Sequence, residues 1–306
     1  MIRTAVLGAL LLIFSSISII LISTSLDLAE ERLVLIDIPD NNSQTLGVQK
    51  YNFPPQNLGQ LPPNSSARAI LIKDLTSDSI LYQKDAEVRV PIASTTKIAT
   101  ALVASAHFKP NSILVVGDSA DIDGSSVGLQ NGERLSFRSL LYGMLLNSGN
   151  DAAFTIAENY PGGVSAFVSA MNEEGKRMGL YNTNFQNPAG FDSPNHFSSA
   201  TDLAKITQEA IKDSQLARIF ATKSTEVASI DKRFTHKLTN LNKLLSSVTG
   251  VLGVKTGYTQ AAKENLVTLV ERDNHKVLLV VLGSNDRFGE TINLIDWVFK
   301  NYRWIN

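Results

Sequence analysis

Strand-like runs sit at two places far apart in this chain, and that separation constrains its fold most. Ala69–Lys73 and Ile80–Tyr82 are short and apolar, and Thr76-Ser77-Asp78-Ser79 between them has turn composition. Runs of the same kind return only at Leu252–Val254, Asn265–Val270 and Lys276–Leu282, with Asp273-Asn274 suited to a hairpin turn between the last two. The intervening chain is helical in its periodicity: Ser94–Ala106, Ser136–Asn147, Ala152–Asn159, Val164–Met178 and Asp202–Ile211. Glu290–Tyr302 closes as an amphipathic helix with Ile292, Ile295, Val298, Phe299 and Tyr302 near helical spacing. The expected fold is therefore α+β. One antiparallel sheet is built from both chain ends and flanked by helices, with a helical subdomain inserted between.

Composition narrows the function classes. Among 306 residues, 43% are hydrophobic, enough for a sizeable core. Lys+Arg is 28 against Asp+Glu 29, so a large basic surface is excluded and no nucleic-acid partner is expected. Cysteine is absent, which removes disulfides, thiolate metal sites and cysteine nucleophiles. The four histidines, His107, His196, His236 and His275, are far apart, so no metal site is expected and surface or loop positions account for them. No cofactor is implied.

The N-terminus points to export. Arg3 is followed by 23 uncharged residues, Thr4 to Leu26, then by Asp27, Glu30 and Glu31. As a helix this run spans ~34 Å, about one bilayer core. The charge bias leaves the N-terminus in the cytoplasm and the remainder outside. The organisation read from this is residues 1–26 as a transmembrane anchor or signal peptide, 27–66 as an extracytoplasmic linker and 67–306 as the folded domain. Pro39, Pro54, Pro55, Pro62 and Pro63, with Asn, Gln and Ser around them, give the linker its spacer composition, although Leu33–Ile38 suits a short strand.

Three short patterns can carry chemistry. In Ser94-Thr95-Thr96-Lys97, helical spacing puts the Lys97 amine within reach of the Ser94 hydroxyl. An amine with a depressed pKa can take the serine proton. Ser148-Gly149-Asn150 follows an apolar helix. Read alone it is a helix C-cap, with Gly149 left-handed and Asn150 opening the next helix. Lys255-Thr256-Gly257 ends a strand-like run. Each has an ordinary structural explanation by itself, and Ser229-Ile230-Asp231-Lys232 and Ser193-Pro194-Asn195 repeat the first two templates. Their order along the chain is what lifts them together.

With these motifs the chain resembles the low-molecular-mass penicillin-binding proteins, the serine D-alanyl-D-alanine carboxypeptidases. The resemblance runs from about Ala67 to Tyr302. Gly128–Glu133 and Asn187-Pro188-Ala189-Gly190 are further landmarks. It implies a β-lactamase/transpeptidase-like fold whose helical subdomain carries the Ser-x-Asn motif. The implied substrates are peptidoglycan stem peptides ending in D-Ala-D-Ala, with β-lactam antibiotics as covalent inhibitors. The implied catalytic residues are Ser94 as nucleophile, Lys97 as base, Ser148 as proton relay and Asn150 as substrate holder. Lys255, Thr256, Gly257 and Tyr258 form the substrate-binding strand, and the backbone N–H groups of Ser94 and Tyr258 form the oxyanion hole. One departure stands out: the family usually has Ala-Gly where this chain has Ala262-Lys263. The alternatives are a DD-endopeptidase using the same residues, a β-lactamase of the same fold, and a non-catalytic wall-binding homologue. The expected location is the extracytoplasmic face of the cytoplasmic membrane, or outside the cell if the N-terminal segment is cleaved.

Overall fold

The computed structural model describes residues 53–304. The uncharged run Thr4–Leu26, the Leu33–Ile38 strand expectation and most of the expected linker lie outside them. Among the described residues no helix is long and apolar enough to cross a membrane.

The chain opens with a two-residue strand β1 (Gln56–Asn57), then β2 (Ala69–Asp74) and β3 (Ile80–Lys84). A single 3-10 turn, Ala93–Thr96, leads into α1 (Lys97–His107). A small hairpin of β4 (Ile113–Val115) and β5 (Arg134–Ser136) precedes α2 (Phe137–Leu146), α3 (Asn150–Glu158) and α4 (Gly163–Arg177). After α5 (Ala200–Ala210) and α6 (Ser214–Phe220) comes a second hairpin, β6 (Ser224–Ala228) with β7 (Thr235–Thr239). The chain then runs through β8 (Val251–Thr259), β9 (Lys263–Arg272), β10 (His275–Ser284), α7 (Arg287–Asn301) and β11 (Tyr302–Arg303).

The main sheet has the order β3-β2-β10-β9-β8, and every pairing is antiparallel. Both chain ends contribute, as the separated strand runs require. The side-chain alternation of β10 explains the layering. Leu278, Val280 and Leu282 face the helical subdomain in one apolar cluster. Val277, Leu279 and Val281 face Leu294, Ile295 and Val298 of α7 in another. Asp273 and Asn274 both take positive φ, 51° and 63°, as the two-residue turn joining β9 to β10 demands.

The folded unit begins before Ala67, which corrects the linker boundary. β1 pairs with β11, Gln56 opposite Arg303. The Gln60 N–H donates to Asn301 Oδ1 at 2.7 Å, and Ser65 and Ser66 donate to the Glu290 carboxylate. These attachments are polar and reach residues more than 200 positions away, so spacer-like composition does not announce them. The two small hairpins also escape sequence reading: β4 and β5 are only three residues long, and Ser224–Ala228 and Thr235–Thr239 hold few apolar residues. His196 and His236 are buried, against the surface expectation. His236 Nε2 lies 2.8 Å from the buried Glu133 Oε1, so a partner replaces the solvent it lost.

Candidate active site

The site forms where α1, the α2–α3 junction and the edge strand β8 meet. Its centre is Lys97, fully buried at the start of α1. Its Nζ lies 3.0 Å from Ser94 Oγ, 2.8 Å from Asn150 Oδ1 and 2.7 Å from the Ala189 carbonyl. Burial, reinforced by the nearby Lys255 charge and opposed by Asp151, holds the amine well below the ordinary lysine pKa. A neutral amine has two N–H donors and one lone pair. Asn150 Oδ1 and Ala189 O only accept, so they take both N–H groups. When the amine is neutral, its lone pair is left facing Ser94 Oγ, 3.0 Å away. Asn150 cannot turn over, because its Nδ2 donates to Asp123 O at 2.8 Å. Ser94 is partly exposed while its partners are buried. The arrangement is a serine with a fixed proton acceptor behind it, open to a carbonyl in front.

The backbone around Ser94 is held under strain. Ala93, just before it, has φ 47°, a left-handed conformation that costs an alanine of order 1–3 kcal/mol. Three contacts hold it there. Thr96 Oγ1 donates to Ala93 O at 2.8 Å. Gly190 packs so closely that a Cβ on it would lie 1.9 Å from Ala93 O. Gly257 of β8 covers the other side, where a Cβ would come 3.1 Å from Ser94 N. The glycines of Asn187-Pro188-Ala189-Gly190 and Lys255-Thr256-Gly257 are therefore needed for close approach to the serine turn.

The Ser148-Gly149-Asn150 triplet departs from the simple C-cap in one detail. Ser148, not Gly149, takes the left-handed conformation, with φ 59° against −57° for Gly149. This turn sets Asn150 at the first position of α3. Ser148 is buried, and its hydroxyl takes no hydrogen bond among the described residues. Next to Asn150, the buried Asp151 carboxylate accepts from the N–H groups of Val127, Gly128 and Leu129 and from Ser126 Oγ. It pins the 126–129 segment beside Asn150.

Lys255 is buried on β8, and its Nζ donates to Thr256 O at 2.9 Å. Burial first, then the charge of Arg287, pushes its pKa down to about 7. Thr256 is buried next to it, whereas Tyr258 is 61% exposed and walls the opening. Because β8 is the sheet's edge strand, one row of its backbone N–H and C=O groups is left unpaired by the sheet.

Of the residues expected from sequence, Ser94, Lys97 and Asn150 meet directly and the strand carrying Lys255–Tyr258 packs on the Ser94 turn, while three neighbours were not expected. Arg287, the first residue of α7, donates from Nη1 to Gly257 O at 2.9 Å and adds a cation behind β8. Ala189 O supplies half of the Lys97 orientation. His196 accepts from Gln186 N–H at Nδ1, so its Nε2 carries the proton and donates to Thr96 Oγ1 at 2.8 Å. None of the three stands at a recognisable spacing from Ser94. The repeated templates are elsewhere in function: Ser229 donates to Asp231 in the β6–β7 turn, and Ser193–Asn195 is a surface loop.

Lys263 opens β9 with φ 59°, and its exposed side chain makes no hydrogen bond or ion pair among the described residues. A left-handed φ of this kind is one that glycine adopts at least cost.

The family model described as D-alanyl-D-alanine carboxypeptidase matches residues 56–286. The D-alanyl-D-alanine carboxypeptidase DacF of Bacillus subtilis is 32% identical over 246 residues, 77% of this chain and 63% of that protein. A D-alanyl-D-alanine endopeptidase of Pseudomonas aeruginosa is 31% identical, over 82% of this chain and 81% of that protein. Among solved structures, the DD-transpeptidase of Streptomyces K15 superposes with a TM-score of 0.75 at 29% identity. That match covers 79% of this chain and 100% of that one. The chain spans just under two thirds of the length of several curated carboxypeptidases that it matches.

Proposed function

Because this chain belongs to the D-alanyl-D-alanine carboxypeptidase family, we propose that it removes the terminal D-alanine from peptidoglycan stem peptides through an acyl-enzyme on Ser94. The observation that carries the reading is the orientation of Lys97, whose lone pair is aimed at Ser94 Oγ by two groups that can only accept.

The proposed steps join the Lys97 geometry to the roles that the family resemblance implies. Ser94 Oγ attacks the penultimate carbonyl and its proton passes to Lys97 Nζ. The tetrahedral oxyanion is held by the N–H groups of Ser94 and Tyr258, each worth ~3–4 kcal/mol in comparable sites. The C–N bond breaks, and the leaving D-Ala nitrogen takes a proton through Ser148. Water then hydrolyses the ester and returns Ser94. The substrate's carboxylate is held by Lys255 and Thr256, with Arg287 adding positive charge behind Gly257. A β-lactam presents the same carbonyl and carboxylate and stays attached as the ester.

The endopeptidase reading uses the same residues, and the endopeptidase name of the Pseudomonas relative favours keeping it. It differs only in the leaving group, a cross-linked side-chain amine in place of D-Ala. For location, the uncharged run from Thr4 to Leu26 supports an enzyme tethered at the extracytoplasmic face of the membrane.

The test is intact mass after incubation with benzylpenicillin, for wild type and Ser94→Ala side by side, followed by D-Ala release from a D-Ala-D-Ala peptide. An adduct of the whole drug on wild type alone, with D-Ala released, is the expected result. Drug hydrolysed without an adduct would transfer the reading to a β-lactamase. An unreacted drug and peptide would leave a wall-binding protein.

A further inference from the structure

His196 is buried, and no step of the proposed reaction uses it. Two groups face its Nδ1 as donors: Gln186 N–H at 3.0 Å and Asn187 Nδ2 at 3.4 Å. The Asn187 amide is fixed in this sense, because its Oδ1 accepts from the N–H groups of Ala189, Gly190 and Phe191. The imidazole proton is therefore on Nε2, which donates to Thr96 Oγ1 at 2.8 Å. The Thr96 hydroxyl has one proton, and it goes to Ala93 O at 2.8 Å. A directed chain thus runs from Gln186 through the imidazole and the hydroxyl to the carbonyl in front of Ser94. Its direction is fixed at both ends, since a backbone N–H only donates and a carbonyl only accepts.

Both ends of the chain touch the reacting groups. Gln186 leads into the loop whose Ala189 O takes an N–H of Lys97. At the other end, Ala93 O and Ser94 N–H belong to one peptide group, which is planar, so gripping the oxygen fixes the direction of the N–H. That peptide follows Ala93 at φ 47°, a conformation that persists only where its surroundings hold it. We infer that His196 is a positioning residue for both halves of the acyl transfer. Through Thr96 it sets the Ala93–Ser94 peptide plane, and with it the Ser94 N–H of the oxyanion hole, against the loop that orients Lys97. The catalytic consequence rests on the acyl-enzyme reading; the tether does not. Acylation and hydrolysis both pass through an oxyanion at this N–H, so both rates respond to the tether.

Acylation by a fluorescent penicillin and release of the adduct are timed on the full chain as wild type, Thr96→Val, Thr96→Ser, His196→Leu and His196→Gln. Thr96→Val and His196→Leu should each slow both steps by about tenfold, the rate equivalent of one hydrogen bond. The acylated fraction at the end point, read by intact mass, should stay complete. Thr96→Ser keeps the hydroxyl and His196→Gln keeps an N–H donor, so each should recover most of the rate. Thr96→Val and His196→Leu combined should lose no more than either alone, since one chain is cut twice. If His196→Leu does not fold, the contrast of Thr96→Val with Thr96→Ser decides. Losses that multiply, acylation slowed with release unchanged, or an incomplete end point with unchanged rates, as a merely structural role would give, would overturn the inference. The chemical shift of the Ser94 amide nitrogen is read separately. Shifts moved alike by Thr96→Val and His196→Leu and restored by the conservative variants, in a wild type that takes no drug, support the tether and count against the acyl-enzyme. Drug bound by wild type, with rates and shifts unchanged in the variants, counts against the tether alone.

Discussion

Two buried lysines in one site divide its work between them by their surroundings. Burial, reinforced by the Lys255 charge, holds Lys97 well below the ordinary lysine pKa, which suits the proposed proton acceptor. Lys255 has a pKa near 7 and is charged only below it. Since kcat/KM reports groups of the free enzyme, acylation by a carboxylate-bearing β-lactam should fall as pH rises through about 7. Lys255→Arg should carry that decline well above pH 7, because a guanidinium remains charged. An acylation rate flat from pH 6 to 9 in the wild type would remove Lys255 from the role. His196 supplies a second pH dependence, this time in stability. Burial lowers its pKa from 6.5 to about 4, so the folded state binds fewer protons than the unfolded state between these values. Its contribution is fully present above pH 6.5 and is lost on acidification toward pH 4, by roughly 3 kcal/mol in total. Urea denaturation across this range should show that loss, and His196→Gln should flatten it.

At the scale of elements, strained turns join the helices and strands that carry the site. Ala93 and Ser148 both take left-handed conformations next to the reacting groups, and Gly190, Gly257 and the Thr96 hydrogen bond keep Ala93 there. Lys263 has the same conformation at the first residue of β9, and its side chain makes no hydrogen bond or ion pair among the described residues. A Lys263→Gly chain should therefore be more stable by about 0.5–1 kcal/mol in thermal melts, with penicillin acylation unchanged. A lower melting temperature would mean that the lysine side chain contributes packing. The visible effect of Lys263 is on the backbone, through its positive φ.

At the scale of the molecule, the two ends of the described chain are tied together. β1 pairs with β11, and the Trp297 indole N–H donates to Gln60 O at 3.1 Å. Glu290 collects hydrogen bonds from Ser65, Ser66 and Ser284, and these hold its carboxylate below its ordinary pKa although burial opposes them. A chain beginning at Phe53 should melt several degrees above one beginning at Ala67, since a loss of 1 kcal/mol shifts the midpoint by about 2–4 °C at this size. Equal melting temperatures would make the 56–66 segment a passive attachment. The family model begins at residue 56, in agreement with the earlier boundary.

What the amino-acid sequence determined by itself was whatever depends on neighbours close in the chain. The strand-like run of β10, the helical periods, the Asp273-Asn274 turn and the Ser94–Lys97 spacing are all local, and each was legible. The three motifs were legible as a set, because their order survives even when each is ambiguous alone. Only the tertiary structure decided which polar groups meet. Ala189 O on Lys97, Arg287 at Gly257, His196 at Thr96 and Ser65–Ser66 at Glu290 join residues from about 30 to over 220 positions apart. A hydrogen bond between such groups needs no apolar pattern and no fixed spacing, so it leaves no periodic trace. The pKa differences between Lys97 and Lys255 have the same origin: burial and the approach of charges are properties of the packed molecule, not of the lysine or its neighbours in sequence.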